Sequence, residues 1–432
     1  MTSTSTPSKP FDIAVVGGGI GGVVLAIGLL HNHIPFTLYE SAHAFGEIGA
    51  GVSFGPNAVW AMRLIDPAIE EAFHRVATRN SWESKKDLWF TFRYGQDKND
   101  GSNHVGDVIT DLASPPVGQC GVYRASYLEE LVKLLPEGVA HFSKRLEEIE
   151  DNGDYVTLHF HDGTAAKHSA IVGCDGIKSR TRQIVLGKES PVSHPQYTHT
   201  YAYRGLIPMG EAVQVLGEEE ARNSQQYLGY DGHLLTFPIQ KGRTMNVVAF
   251  RTRFDHEWKD DRWVVPMNRE DMDHDFENFG DSVKKILSMM QKPDVWALFH
   301  HLPAPTYYKG RICLLGDAAH ATTPHCGAGA GQAIEDAYVL SNILAKVTDV
   351  RDLETAFSVY DEVRRPRSQR LVSCSRETGK LYDFELEETQ DDKESLKRNL
   401  GSRFRWLWEE DVERHGAGAV EKFEQLKSER RK

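Results

Sequence analysis

Short, mainly apolar runs at residues 11–16, 36–39, 169–173 and 312–315 each give way within two residues to a glycine or a carboxylate. Such runs are predicted to be strands buried on both faces. Helical spacing follows the first over residues 23–31 and follows the last from Gln332 through Leu340. Strand and helix in that alternation belong to an α/β core. From residue 199 the character changes. Strands predicted at 199–206, 225–230, 233–239 and 244–251 follow one another, and Asp231-Gly232 and Lys241-Gly242 turns join the last three. That is an antiparallel meander. Residues 81–111 are polar and irregular around a short aromatic strand near 89–94, and residues 155–160 alternate before an Asp162-Gly163 hairpin signal. Helices are predicted at 57–65, 127–135 and 271–290, and the charged stretch 351–432 is mostly helical, anchored by the aromatic residues 403–409.

These elements divide the chain into a discontinuous α/β domain (11–80, 112–188 and 302–375), an inserted antiparallel sheet domain (81–111 and 189–301) and a C-terminal helical segment (376–432). Residues 1–10 read as a frayed tail. A length of 432 residues suits two cores rather than one. The net charge of -12 argues against a nucleic-acid surface, which needs a basic field. Five cysteines are widely spaced without a C-x-x-C pair and are expected to be reduced. The first ten residues lack the apolar core of a signal peptide, and no apolar run reaches the roughly 20 residues of a membrane span. A cytoplasmic protein, with neither membrane nor nucleic acid as partner, is expected.

The candidate chemistry lies where strands end. Gly17, Gly19 and Gly22 fit G-x-G-x-x-G between a strand and a helix, and Glu40 closes the next strand about 20 residues on, where a dinucleotide fold places an acid for the adenosine ribose. Residues 311–337 form a second cradle. A strand ends at Gly316-Asp317, and a polar crossing leads to Gly327, Gly329, Ala330 and Gly331 at a helix start. Glycines there admit close backbone contact, the helix N-terminus favours negative charge, and Asp317 is placed to accept hydrogen bonds from a polyol. Arg124 sits at a predicted helix start, where a cation is misplaced unless an anion or polar ligand is near. Asp175-Gly176 with Ser179 and Arg182 is either a ligand motif or an ordinary turn and N-cap. The glycine-rich stretch 47–57 contains Gly51. Histidines at 300, 301, 320 and 325 lack zinc-ligand spacing, and no nucleophile elbow appears, so no metal is expected.

Together the GGGIGG turn with Glu40, the DGxxSxxR stretch, RICLLGDAAHATTPHCGAGAGQAIEDA and the RWLWE tail resemble the single-component flavoprotein aromatic hydroxylases, of the para-hydroxybenzoate and salicylate hydroxylase type. The resemblance spans essentially the whole chain. It implies FAD as cofactor, NADH or NADPH as a transient co-substrate and O2. Asp317 would hold the ribityl chain, the Gly327 turn would follow the flavin pyrimidine edge, Gly51 would contact the ring by its backbone, and Arg124 would bond the ribityl or phosphate region. Asp175 would serve both FAD and the nicotinamide. The antiparallel sheet becomes the floor of the substrate pocket, where a flavin hydroperoxide oxygenates a phenolic ring.

On that floor Arg204 either holds a carboxylate or phenolate or pairs with an acid at the sheet edge. His325 is either a base or a loop residue bonding the backbone. Tyr230 and His233 are further substrate candidates. Phe237 is apolar where some fungal dearomatising relatives carry a tyrosine, which favours a simpler phenolic acid. The resulting expectation is conversion of salicylate to catechol with loss of carbon dioxide, by a monomer or homodimer. The alternatives are a tailoring hydroxylase of a polyketide phenol and a flavin-bound regulator without turnover.

Overall fold

The structure, a computed structural model, describes residues 9–46, 51–98 and 101–431. Its α/β core is a six-stranded sheet in the order Tyr308–Lys309, Ile312–Leu314, Ala170–Gly173, Ile13–Val16, Phe36–Tyr39, Ala140–His141. All pairings are parallel except the outermost, Tyr308–Lys309 on Ile312–Leu314. The central strand is buried at all four positions, as its unbroken apolar sequence requires. Helices Ile20–His31 and Gly329–Ala345 pack closely against one another. A Cβ added at Gly28 would stand 2.9 Å from Ser341 Oγ.

The second sheet has eight strands in the order Val264–Pro266, Gln291–His301, Pro195–Pro208, Thr244–Thr252, Gly232–Ile239, Gln225–Gly229, Leu88–Tyr94, Val108–Ala113. It is antiparallel but for the pairing of Gln225–Gly229 with Leu88–Tyr94. The expected turns carry positive φ at Asp231, Lys241 and Gly242.

Two local expectations change. The chain between the first two meander strands forms the helix Met209–Arg222, whose helical period is broken at Gly217 (φ 82°, ψ 166°). The helix predicted over 271–290 is two, Arg269–Asp275 and Asp281–Met289, separated where Gly280 takes the N-cap position. The C-terminal part contributes the 30-residue helix Leu353–Tyr382 and the helices Lys393–Arg403, Arg405–Trp408 and Val412–Arg430. Its aromatic anchor works as a clamp: Trp408 stacks on Phe404 at 4.9 Å and meets Trp89 at 5.4 Å.

Among the described residues no helix is long and apolar enough to cross a membrane, and no group of three or more His, Cys, Asp or Glu side chains is arranged to hold a metal ion.

Candidate active site

A cavity of about 1550 Å³ runs between the parallel sheet and the antiparallel one. Each sequence motif delivers backbone to its wall. Gly17 leaves the central strand with φ 110°, and a Cβ there would lie 2.2 Å from the Cys174 carbonyl oxygen. Gly19 takes the N-cap position of Ile20–His31 with no side chain capping it among the described residues, and Gly18, Gly19, Ile20 and Gly21 line the cavity at that helix end. Beside them the Glu40 carboxylate accepts from Gly18 N at 2.6 Å and Ala42 N at 2.7 Å. The second cradle repeats the device. Gly327 is left-handed (φ 59°), Ala328 N-caps Gly329–Ala345 without a side-chain cap among the described residues, and Gly327, Gly329 and Ala330 line the cavity.

Asp317, Arg124 and Gly51 line the same space; residues 47–50 of the Gly51 stretch lie outside the described residues. Two uncapped helix ends, an acid beside one of them and glycines whose Cβ positions are filled fit a long dinucleotide such as FAD.

Not every motif residue reaches the wall. Gly22 serves helix–strand packing instead, because its Cβ would be 2.0 Å from the Gly17 carbonyl oxygen. Gly331 faces Ala58, and a Cβ added at Gly331 would stand 2.9 Å from the Ala58 Cβ. Asp175 lines the cavity, yet its carboxylate accepts from Ser179 Oγ at 2.6 Å and from Thr181 N at 2.9 Å, and burial raises its pKa. The N-cap of the helix Arg180–Leu186 is Ser179, so Asp175 is the turn residue that ties this cap down from the cavity wall. Arg182 is turned inward, donating to the carbonyls of Val192, Leu302, Ala318 and Ala319; burial pushes it down to about 10. It fixes the segment that follows Asp317.

On the antiparallel side Arg204 is half-buried, facing the cavity. Its guanidinium stands 4.7 Å over the Trp296 ring and donates to Gly51 O at 3.4 Å. Burial and the Arg124 charge push it down to about 10, so it stays cationic at neutral pH. No acid of the described residues forms an ion pair with it. His325 lines the cavity from the turn Pro324–Cys326, with its ring 5.1 Å from Phe250 and 5.2 Å from His233, and its Nδ1 has no hydrogen-bond partner among the described residues. Burial and His233 push its pKa down to about 3. Phe237 lines the cavity and closes on Gly51 and Gly121.

His233 stands one layer behind, stacked on Phe250 at 4.5 Å, with Nδ1 2.6 Å from Asp383 Oδ1. Burial lowers His233 to about 3 and raises Asp383 to about 7, so both lean to their uncharged forms. Tyr230 lies away from the cavity. Its hydroxyl donates to Asp391 at 2.6 Å, and it borders a separate hollow beyond the sheet edge.

Three features went unread in the sequence. Glu335 and Asp336, behind the second cradle, are held by Arg364, Arg367 and His320. Asp383 comes from the C-terminal part. Gln226 lines the cavity floor. The EDA triplet was visible, but its partners lie about one long helix away, beyond any local pattern.

The buried histidines carry a pH consequence. His233, His301 and His325 are held at about 3 and His300 at about 4 by burial, whereas an unfolded histidine protonates near 6.5. Between those values the unfolded chain binds more protons, so their contribution is present above pH 6.5 and lost as pH falls toward 4. Asp383 and Glu385, raised to about 7 by burial, and Asp175, also raised by burial, oppose this, but His415 is lowered as well, so three acids stand against five histidines. The melting temperature of the FAD-loaded protein is expected to fall between pH 7 and pH 5. An unchanged value would contradict neutral burial of these rings.

Glycine turns from two strand ends line one cavity with the antiparallel sheet opposite, an arrangement that suits a flavin dinucleotide. Residues 125–375 match the family of the FAD binding domain, and the chain belongs to it. It is 42% identical over 424 residues to the 6-methylsalicylate 1-monooxygenase of Aspergillus terreus, covering 97% of this chain and 93% of that one. It is 41% identical over 413 residues to a salicylate hydroxylase of Pseudomonas putida, covering 93% of each. A solved salicylate hydroxylase substrate complex superposes with a TM-score of 0.85 at 36% identity, over 95% of this chain and 98% of that one. The protein is an FAD-dependent monooxygenase of the aromatic hydroxylase type.

Proposed function

We propose that this enzyme hydroxylates a phenolic aromatic acid using reduced nicotinamide and oxygen, with salicylate to catechol and carbon dioxide as the leading reaction. The observation that carries it is Arg204: a cation half-buried among apolar side chains, without an acid of the described residues to pair with. A guanidinium so placed is best compensated by a ligand carboxylate held through two parallel hydrogen bonds. Bound FAD supplies reduction by the nicotinamide and oxygen activation. The chain's own residues do the rest. The uncapped N-termini of Ile20–His31 and Gly329–Ala345 hold phosphate and flavin, Glu40 the adenosine ribose, and Asp317 and Arg124 the ribityl region.

Arg204 orients the substrate acid, and Leu235, Val248 and Phe237 exclude water. His325, neutral at pH 7, accepts the phenol hydrogen bond at Nδ1, and an anionic ring beside it raises its basicity. Oxygen delivered to the carboxyl-bearing carbon breaks the ring–carboxyl bond, and the electron pair of that bond restores aromaticity as carbon dioxide leaves. A chain with five cysteines and no C-x-x-C pair suits a reducing compartment, and we place the enzyme in the cytoplasm.

Binding is tested by the visible spectrum of the FAD-loaded protein. Salicylate is expected to perturb the flavin band saturably, and phenol, lacking the acid, to do so at least about tenfold more weakly. Equal affinities would remove Arg204 as the acid's partner.

A further inference from the structure

The strand register sets out the cavity floor as rows. Gln226 faces Leu235, Leu235 faces Val248, and Val248 faces Arg204, one residue from each of four neighbouring strands. All four line the cavity. Three strand spacings separate the backbones of Gln226 and Arg204 by about 14–15 Å. Their long side chains leave, over the apolar Leu235 and Val248, room for a substituted ring. The row is therefore apolar in the middle and polar at both ends.

Gln226 is 2% exposed, and its Nε2 has no hydrogen-bond partner among the described residues. Its neighbour Gln225 is satisfied: Oε1 accepts from Arg93 Nε at 2.9 Å and Nε2 donates to Asn223 O at 3.3 Å. An unpaired buried amide is costly, and natural cores rarely keep one without a use. Turning the amide over exchanges its oxygen and nitrogen and leaves a buried carbonyl instead. A hydroxyl, both donor and acceptor, satisfies either orientation.

We propose that Gln226 reads a second oxygen function on the substrate ring, at the end opposite the carboxylate held by Arg204. The preferred substrate is then a hydroxybenzoic acid carrying a further hydroxyl, rather than one with a single phenol. The inference rests on the phenolic-acid reading above and narrows it.

The test compares kcat/KM for salicylate with that for the 2,3-, 2,4-, 2,5- and 2,6-dihydroxybenzoates, using the FAD-loaded enzyme and product-coupled NADH consumption. In the unaltered enzyme at least one dihydroxy acid is expected to exceed salicylate by about tenfold or more. Gln226→Leu is expected to bring that ratio near one, chiefly through KM, with FAD occupancy and melting temperature retained. Gln226→Glu, which keeps an acceptor for the hydroxyl, is expected to restore part of the ratio. Salicylate preferred by the unaltered enzyme, or the same ratio in Gln226→Leu, overturns the inference and leaves the phenolic-acid reading standing. Turnover of none of these acids overturns that reading, and the inference with it.

Discussion

Replacing Arg364 by methionine is expected to destabilise the protein by about 3–5 kcal/mol and to loosen FAD, because it leaves two buried carboxylates short of a counter-charge. Arg364 is 0% exposed. It donates to Asp336 Oδ1, Glu335 Oε2 and Gln332 Oε1, each at 2.7 Å. Burial alone pushes both carboxyls up. Arg364 with Arg367 overcomes this at Glu335, and His320 with Arg364 at Asp336, so both are held at about 2. Their folded values lie below the ordinary ones near 4, so their stabilisation is full above that range and lost as pH falls toward 2. In the variant the acid limb of stability should move to higher pH.

The loss reaches the cofactor because the same carboxylates hold the second cradle. Asp336 accepts from Gly316 N at 3.1 Å, and Glu335 accepts from Asn57 Nδ2 at 2.6 Å. Thermal unfolding and the FAD remaining after gel filtration measure both effects. A melting temperature within about a degree of the parent would show that Arg364 is replaceable packing.

Arg204→Met is expected to lower kcat/KM for salicylate by about a hundredfold or more while FAD stays bound. Truncating one partner of a desolvated charge pair costs about 2–5 kcal/mol, and Arg204 belongs to the sheet opposite the glycine turns. Arg204→Lys is expected to rescue little, since a point charge reproduces neither the two-pronged contact nor the stacking on Trp296. The readout is steady-state kinetics beside FAD occupancy, with a carboxylate-free phenol as control. An equal fall for that phenol would mean that Arg204 shapes the floor without holding an acid.

What the sequence disclosed and what it hid divide along physical lines. Continuous apolar runs ending in glycine or acid located four of the five parallel strands of the core sheet, while the two-residue strand Ala140–His141 has no such run and escaped. The helix Met209–Arg222 escaped because Gly217 breaks its period and acids crowd its second half. Among site residues, Gly17, Gly19 and Gly327 came from motifs whose spacing encodes the turn. Gly22 belongs to the same motif, yet only the 2.0 Å approach to the Gly17 carbonyl shows that it packs rather than binds.

Tyr230 and His233 looked alike, both polar and both in or beside a floor strand. Their partners Asp391 and Asp383 lie more than a hundred residues on, and these contacts draw both tyrosine and histidine off the cavity wall. Gln226 lay inside a correctly predicted strand, but its face follows only from register. Long-range pairing and register were the missing quantities.

The most direct measurement is NADH consumption by the FAD-loaded enzyme with salicylate, with catechol, carbon dioxide and hydrogen peroxide followed together. Decarboxylative hydroxylation of a phenolic acid predicts catechol and carbon dioxide formed in step with NADH consumed, with little peroxide. NADH consumed with peroxide as the sole product, or no stimulation by salicylate, would contradict it.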